Sequence, residues 1–298
     1  MTAWASDFAR QFPEAKLNEP LSRYTTFRIG GPADAYIELR DRRALVGVSA
    51  FCRSRGVSLT PLGFGSNVLI LDSGVRGVVF RLRGEFEQVE FLAGRRVRAG
   101  AGVRVPQLVA LCAERGLAGA EPLVGVPGTV GGALVMNAGT RDGEIGALTE
   151  EVETFDLERG DIHAVPRETA GFEYRRSKLS SVVVLSGLLQ LKAGDKAVIM
   201  GRVQEFQRRR LQTQPIHTFN VGSTFKNPPG RFVAKLIEDA GLKGSAVGGA
   251  RISPLHANFI ENVSNARASD VLELVSKIQE TILARFGVQL ELEMKVMG

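Results

Sequence analysis

A chain of 298 residues, 44% hydrophobic and 23% charged, has the composition of an ordinary globular protein able to bury a core in two or three lobes. Its net charge of +6 is scattered among acids, with Gln207-Arg208-Arg209-Arg210 as the one tight basic cluster, which argues against nucleic acid and suits attraction of phosphorylated small molecules. No apolar run reaches the roughly 18 residues of a membrane span, and Asp7, Arg10 and Glu14 break up any targeting segment, so the expected compartment is the cytoplasm.

Trp4, Phe8 and Phe12 recur every four residues, the spacing of a short helix with one apolar face. Thr25 to Leu39 reads as a strand, a Gly30-Gly31-Pro32 bend and a second strand. Leu45, Val48 and Cys52 give Arg42 to Arg55 helical spacing, stopped by Gly56. Thr60 to Leu62 leads into a glycine turn and Val68 to Leu71 leaves it as a strand; short apolar runs from Val75 to Val105 then predict hairpins. Pro106 to Arg115, with proline at its start and Gly116 past its end, reads as a helix. After a second glycine turn come strands over Val152 to Asp156 and Val182 to Leu191, and a boundary near Gly194 to Gln204.

Beyond that boundary Val198 to Arg210 reads as a charged helix, and Arg231 to Asp239 as a helix ended by Gly241. Val271, Leu274, Val275, Ile278, Ile282 and Phe286 form the longest apolar stripe, predicting a helix over Ser269 to Phe286 with Ser269 as its cap. Val288 to Val296 reads as a closing strand with Glu291 and Glu293 on one side. Helices, sheets and hairpins in this order predict an α+β body rather than a regular βαβ repeat. Cys52 and Cys112 lie in apolar helical patterns and are expected as buried thiols. His163, His217 and His256 are too far apart for a zinc pattern, so no metal is expected.

Two glycine-built turns are the most telling feature: Gly63-Phe64-Gly65-Ser66-Asn67 and Pro127-Gly128-Thr129-Val130-Gly131-Gly132. Glycine at this density lets backbone approach a ligand, and clustered N–H groups make a concavity for anions such as phosphate. Neither turn has the order of the dinucleotide fingerprint or the P-loop, and each alone reads equally as a tight turn in a sheet. Three further segments carry more polar chemistry than packing needs: Phe172-Glu173-Tyr174-Arg175-Arg176-Ser177, Val221-Gly222-Ser223-Thr224-Phe225-Lys226-Asn227-Pro228, and Glu293 within Leu290 to Lys295. An arginine beside a tyrosine can form a rigid fork for a carboxylate. Singly, each of the three also reads as solvated charge or a turn.

From Leu21 to Gly298 these landmarks fall in one family's order. They are Thr25-Thr26-Phe27-Arg28-Ile29-Gly30-Gly31, the Gly65-Ser66-Asn67 turn, Gly125-Val126-Pro127-Gly128-Thr129-Val130-Gly131-Gly132, Met136-Asn137-Ala138-Gly139, Tyr174-Arg175, the segment from Gly222 to Pro228, Gly248-Gly249-Ala250 and Glu293. In this order the chain resembles the MurB family of UDP-N-acetylenolpyruvoylglucosamine reductases, flavoenzymes of bacterial cell-wall synthesis, in their shorter type II form. The resemblance implies an α+β protein whose FAD-binding region, of the vanillyl-alcohol oxidase (PCMH) type, covers residues 1–196 in two subdomains split near 75–80. An α+β substrate-binding domain over residues 197–298 follows, its last strand returning Glu293 to the active site.

The implied reaction is NADPH-dependent reduction of UDP-N-acetylglucosamine enolpyruvate to UDP-N-acetylmuramate through non-covalent FAD. The family's cofactor-binding positions fall on Arg28, Gly63, Gly65, Ser66, Asn67, Pro127, Gly128, Thr129, Gly131, Gly132, Asn137 and Gly139. Its catalytic positions fall on Arg175, Ser223 and Glu293, and its substrate contacts on Tyr174, Lys226, Asn227, Lys235 and His256, the last of which reads equally as a structural histidine. Hydride arriving at C3 of the enolpyruvyl group leaves charge at C2 and the adjoining carboxylate, which calls for a fixed cation and aimed donors. Arg175 supplies the cation, Glu293 a donating acid if a closed site keeps it protonated, and Ser223 the proton for a strongly basic carbon. A monomer is expected, since no unassigned apolar stripe calls for a partner.

Two departures accompany the resemblance. Relatives follow Asn-Ala-Gly with an Ala-Tyr-Gly-like segment where this chain has Thr140-Arg141-Asp142-Gly143, and the tyrosine-bearing loop of the longer forms has no counterpart. Arg141 therefore reads either as a contact for a nucleotide phosphate or as a solvent-facing turn charge. The rival reading is another flavin oxidoreductase of the same superfamily, which would keep the glycine turns without needing Arg175, Ser223 and Glu293 together.

Overall fold

The computed structural model describes residues 3–298. The chain forms two compact units, each drawn from three stretches. The first takes Ala35–Phe64, Gly77–Arg209 and the residues up to Leu17; the second takes Asn18–Asp34, Gly65–Arg76 and Arg210–Gly298.

In the first unit the strand Val183–Gln190 explains the layering. Seven of its eight residues are buried, so both faces must be covered. Val183 and Leu185 face a core containing Phe8, Phe51 and Phe80, and Val184 one containing Leu108, Val109 and Leu134; a register shift at Leu185 then resets the alternation, so that Leu189 joins Val184 in the second core. The strand is central in an antiparallel sheet ordered Ile162–Pro166, Thr149–Phe155, Val183–Gln190, Arg96–Gly100, Val89–Leu92. One core is closed by the predicted N-terminal helix, Ala3–Gln11, whose Phe8 ring lies 5.2 Å from Phe51 on the helix Arg42–Ser54. Asp41 starts that second helix by accepting the Ala44 N–H at 2.7 Å. The other core is closed by the helices Val105–Glu114 and Val130–Met136. A side chain at Gly187 would come within 2.8 Å of Leu134, so glycine lets the Val130–Met136 helix settle onto the sheet.

The second unit is organised by the helix Ala268–Phe286. Its predicted stripe of Val271, Leu274, Val275, Ile278 and Ile282 is buried against Val233, Leu236 and Ile237 of the helix Val233–Asp239 and against Ala250, Ile252 and Ile260 of a small antiparallel sheet. Each such side chain fully buried contributes about 1.5–3 kcal/mol. Ser269 does not cap this helix, as the sequence suggested. The helix begins one residue earlier, and Asp72 accepts the N–H groups of Ala268 and Ser269 at 2.8 and 3.1 Å while Asp270 accepts that of Arg267 at 3.0 Å.

Two expected strands are differently formed. Thr25 to Gly31 is a loop, because Arg28 adopts a left-handed φ of 58° and the Thr25 hydroxyl closes the turn on the Ile29 carbonyl at 3.1 Å; the strand is Pro32–Leu39 alone. At the C-terminus only Lys295–Met297 is a strand, parallel to Val68–Ile70, while the residues before it contribute one isolated bridge, Leu292 with Phe225. Among the described residues no helix is long and apolar enough to cross a membrane.

Candidate active site

The glycines of the two turns act mainly through close approach. In the first unit a side chain on Gly63 would stand 3.0 Å from the Thr129 hydroxyl. Thr129 caps the Val130–Met136 helix, its hydroxyl accepting from Gly132 N–H at 3.4 Å. The N–H groups of Val130 and Gly131 are taken by the carbonyls of Val103 and Ala101 at 2.8 and 2.9 Å, and a side chain on Gly131 would strike Ala101. Those two donors therefore anchor the turn instead of facing a ligand. In the second unit Gly65 has a φ of 74°, and any side chain there would lie 2.2 Å from the Tyr24 carbonyl; Thr26 N–H bonds its carbonyl at 3.0 Å. Half-buried Ser66 follows it. Asn67 donates to the Glu293 carbonyl at 3.1 Å and accepts from Lys295 N–H at 3.0 Å. The guanidinium of Arg28 lies 5.8 Å from the Phe219 ring.

Arg104 was missed by sequence reasoning, since nothing local marks it. It pairs with Thr129 in an isolated bridge, lies 3.2 Å over the Phe64 ring and donates to the Pro127 carbonyl at 3.3 Å. Its Nε is buried without a partner. Burial, then repulsion from Arg81 and Arg83, holds its pKa below the usual guanidinium value. Arg81 donates to the Phe64 carbonyl at 3.3 Å. Positive charge concentrated beside two glycine turns, with a buried donor left over, fits the diphosphate of FAD.

Asn137 ends the Val130–Met136 helix in the left-handed region, φ 43°. Its buried side chain donates to Glu144 at 2.8 Å and to the Glu173 carbonyl at 2.9 Å, and accepts from Gly146 N–H at 3.0 Å. Glu173 and Arg176 exchange backbone hydrogen bonds at 3.0 and 3.1 Å, which leaves Tyr174 and Arg175 at the tip of a tight turn. Arg175 has a left-handed φ of 56° and donates to the Gly139 carbonyl at 2.9 Å and to Glu144 at 3.3 Å. Its guanidinium lies 4.9 Å from the exposed Tyr174 ring.

In the second unit Ser223 pairs with Phe259, and the next residue joins it to Glu293. The Thr224 carbonyl accepts from the N–H groups of Glu293 and Met294 at 2.9 and 3.3 Å, and Lys226 N–H donates to Glu291 at 2.9 Å. Asn258, also missed, clamps this segment: its buried amide donates to the Phe225 carbonyl at 2.8 Å and accepts the Phe225 N–H at 3.0 Å. Asn258 N–H in turn donates to His256 Nδ1 at 3.3 Å, and the His256 ring meets Phe259 edge-on at 4.7 Å. Burial, aided by the charge of Lys243, pulls the His256 pKa below its ordinary value. Lys226 forms a close ion pair with exposed Glu291, and Lys235 pairs with Asp239 at 2.6 Å on a solvated helix face. Asn227 accepts the Val233 N–H at 3.0 Å, starting the Val233–Asp239 helix. Ser223 and Glu293 thus share one cross-linked segment of the second unit, while Arg175 belongs to the first.

Residues 33–165 match an FAD-binding domain family, and residues 214–297 match the C-terminal domain of UDP-N-acetylenolpyruvoylglucosamine reductase. The chain is 44% identical over 282 residues to that reductase of Moorella thermoacetica, spanning 94% of this chain and 92% of the relative. To the Rubrobacter xylanophilus reductase it is 41% identical over 292 residues, 97% of each. It superposes on the crystal structure of UDP-N-acetylenolpyruvylglucosamine reductase (MurB) from Thermus caldophilus with a TM-score of 0.83 at 40% identity, covering 96% of this chain and 98% of that one.

Proposed function

This chain belongs to the UDP-N-acetylenolpyruvoylglucosamine reductase family, and from that premise we propose that it reduces UDP-N-acetylglucosamine enolpyruvate to UDP-N-acetylmuramate in the cytoplasm, as a monomer, with FAD bound and NADPH as reductant. The observation that supports the chemistry best is the backbone cross-link between residues 223–226 and 291–294, which joins the hydroxyl-bearing and acid-bearing segments.

Bound FAD supplies the carrier that takes hydride from the nicotinamide and yields it to the enolpyruvyl carbon. Arg28, the turns Gly63 to Asn67 and Pro127 to Gly132, Asn137 and Gly139 would hold it, and Arg104 would offer its charge to the diphosphate. Asn137 and Gly139 do so as scaffold, since the Asn137 amide is committed to Glu144, Glu173 and Gly146. In functional terms residues 1–196 serve the cofactor and residues 197–298 the sugar nucleotide.

Arg175 offers a permanent cation to the substrate carboxylate as charge builds there, and Glu293, protonated in the complex, donates to the same group. Ser223 gives its proton to C2; a hydroxyl suffices because that carbon is strongly basic. Tyr174 and Asn227 border the substrate. Lys226 and Lys235 each exchange an exposed carboxylate partner for a diphosphate oxygen, which costs little because solvent screens such pairs. His256 serves through Asn258, which fixes the backbone beside Ser223.

Anaerobic stopped-flow absorbance of Ser223→Ala tests this reading. Bleaching of the flavin by NADPH should keep its rate, whereas recovery of colour on adding the enolpyruvyl sugar nucleotide should slow by about a hundredfold or more, as loss of a general acid does. Equal damage to both half-reactions, or no recovery in the unmutated enzyme without oxygen, would refute it.

A further inference from the structure

Arg175 stands in a backbone conformation that non-glycine residues rarely adopt, at the tip of the turn closed by Glu173 and Arg176. Such a conformation persists where the surroundings over-determine it. What over-determines it lies on a short ribbon, Gly139–Thr140 paired with Gly143–Glu144, in which Gly139 stands directly opposite Glu144. Each member of that pair supplies an acceptor to the guanidinium: the Gly139 carbonyl at 2.9 Å and one Glu144 oxygen at 3.3 Å. Glu144's second oxygen accepts from Asn137 at 2.8 Å, and Asn137 also holds the Glu173 carbonyl at the base of the Arg175 turn. A side chain on Gly139 would come 2.3 Å from the Gly143 carbonyl, so the ribbon closes only with glycine there.

We propose that Glu144 is the positioning residue of Arg175, an inference that rests on the role of Arg175 in the reduction. A planar guanidinium gripped at two of its N–H groups has a fixed direction. The carboxylate also sets two effects against each other. It offsets part of the positive charge that the substrate carboxylate would feel, and it removes the freedom of the side chain that carries that charge. The network favours orientation. Glu144 is tied from both oxygens, and the ion pair is half-buried, with side-chain exposures of 14% for Arg175 and 31% for Glu144.

Glu144→Gln separates the two effects, since it removes the opposing charge but leaves one acceptor to share between Arg175 and Asn137. In the flavin-loaded enzyme, reoxidation by the enolpyruvyl sugar nucleotide should slow by at least about tenfold, the scale on which small misplacements of a catalytic group act. Reduction by NADPH should be unaffected. If the substitution impairs flavin loading, Glu144→Asp, which keeps the charge but draws the acceptors back on a shorter stem, tests orientation alone and should slow reoxidation in the same way. In an Arg175→Gln background, Glu144→Gln should add no further slowing, because the group it orients is gone. Unchanged or faster reoxidation, equal loss in both half-reactions, or full additivity with Arg175→Gln would each overturn the positioning role. Arg175→Gln measured alone reports separately on the premise: if it leaves reoxidation intact, the reading of Arg175 fails first.

Discussion

At His256 one ring nitrogen links protonation to the segment that carries Ser223. Nδ1 accepts from Asn258 only while it lacks a proton, and burial lowers the folded-state pKa below its ordinary value of 6.5. The unfolded chain therefore takes up the proton first as pH falls. The stabilisation this histidine provides is complete above the unfolded value and is lost as pH drops through it towards the lower folded one. Chemical denaturation between about pH 7.5 and 5.5 should show a falling midpoint, and His256→Gln should flatten that fall; an identical slope in the variant would exclude His256 as its source. Arg175, Ser223 and Glu293 were recognisable as candidates because each sits in an ordered motif. Arg104, Glu144 and Asn258 were not, because what defines them is a partner elsewhere: Phe64 for the first, Arg175 for the second, Phe225 for the third.

Among the elements, the Ala268–Phe286 helix shows how far periodicity reaches. Its apolar stripe could be read directly, since burial repeats with the helical turn. Its start could not, because the carboxylate that accepts its first two N–H groups comes from Asp72, far away in sequence. Asp72→Ala should cost about 1–2 kcal/mol, the range for a lost cap, and Asp72→Asn less, as its carbonyl oxygen still accepts. Urea midpoints of the two variants check this; equal losses would mean that charge, not hydrogen bonding, dominates there. The segment from Val288 to Met294 misled for the opposite reason. Alternating apolar and acidic residues suggest a ladder, yet the backbone forms one isolated bridge, Leu292 with Phe225, and side chains of Asn67 and Gln279 take the Glu293 and Leu290 carbonyls.

For the molecule as a whole, the α+β class, the FAD-binding region and the C-terminal domain were legible from the order of motifs. The interleaving of the two compact units was not, because the compact groupings cut across sequence order. Both cysteines are buried thiols, as expected, with pKa values pushed up to about 11 for Cys52 and about 12 for Cys112, so neither is poised to react. A ligand that binds only the folded state stabilises it by mass action. FAD added to apoprotein at about a hundred times its Kd should therefore add about 2.7 kcal/mol to the unfolding free energy. Calorimetry with and without FAD reads this as a rise in Tm, and an unmoved Tm would count against a flavin site.

The parallel pairing of Val68–Ile70 with Lys295–Met297 bears on biogenesis. At ribosomal speeds of about 5–20 residues per second, the earlier strand waits on the order of ten seconds or longer for its mate. Meanwhile Leu69 and Ile70, fully buried in the finished protein, have no such mate. The nascent polypeptide carries an open adhesive edge until Lys295–Met297 has been made, so a stalled or clipped product lacking that strand should be a substrate for chaperones and proteases.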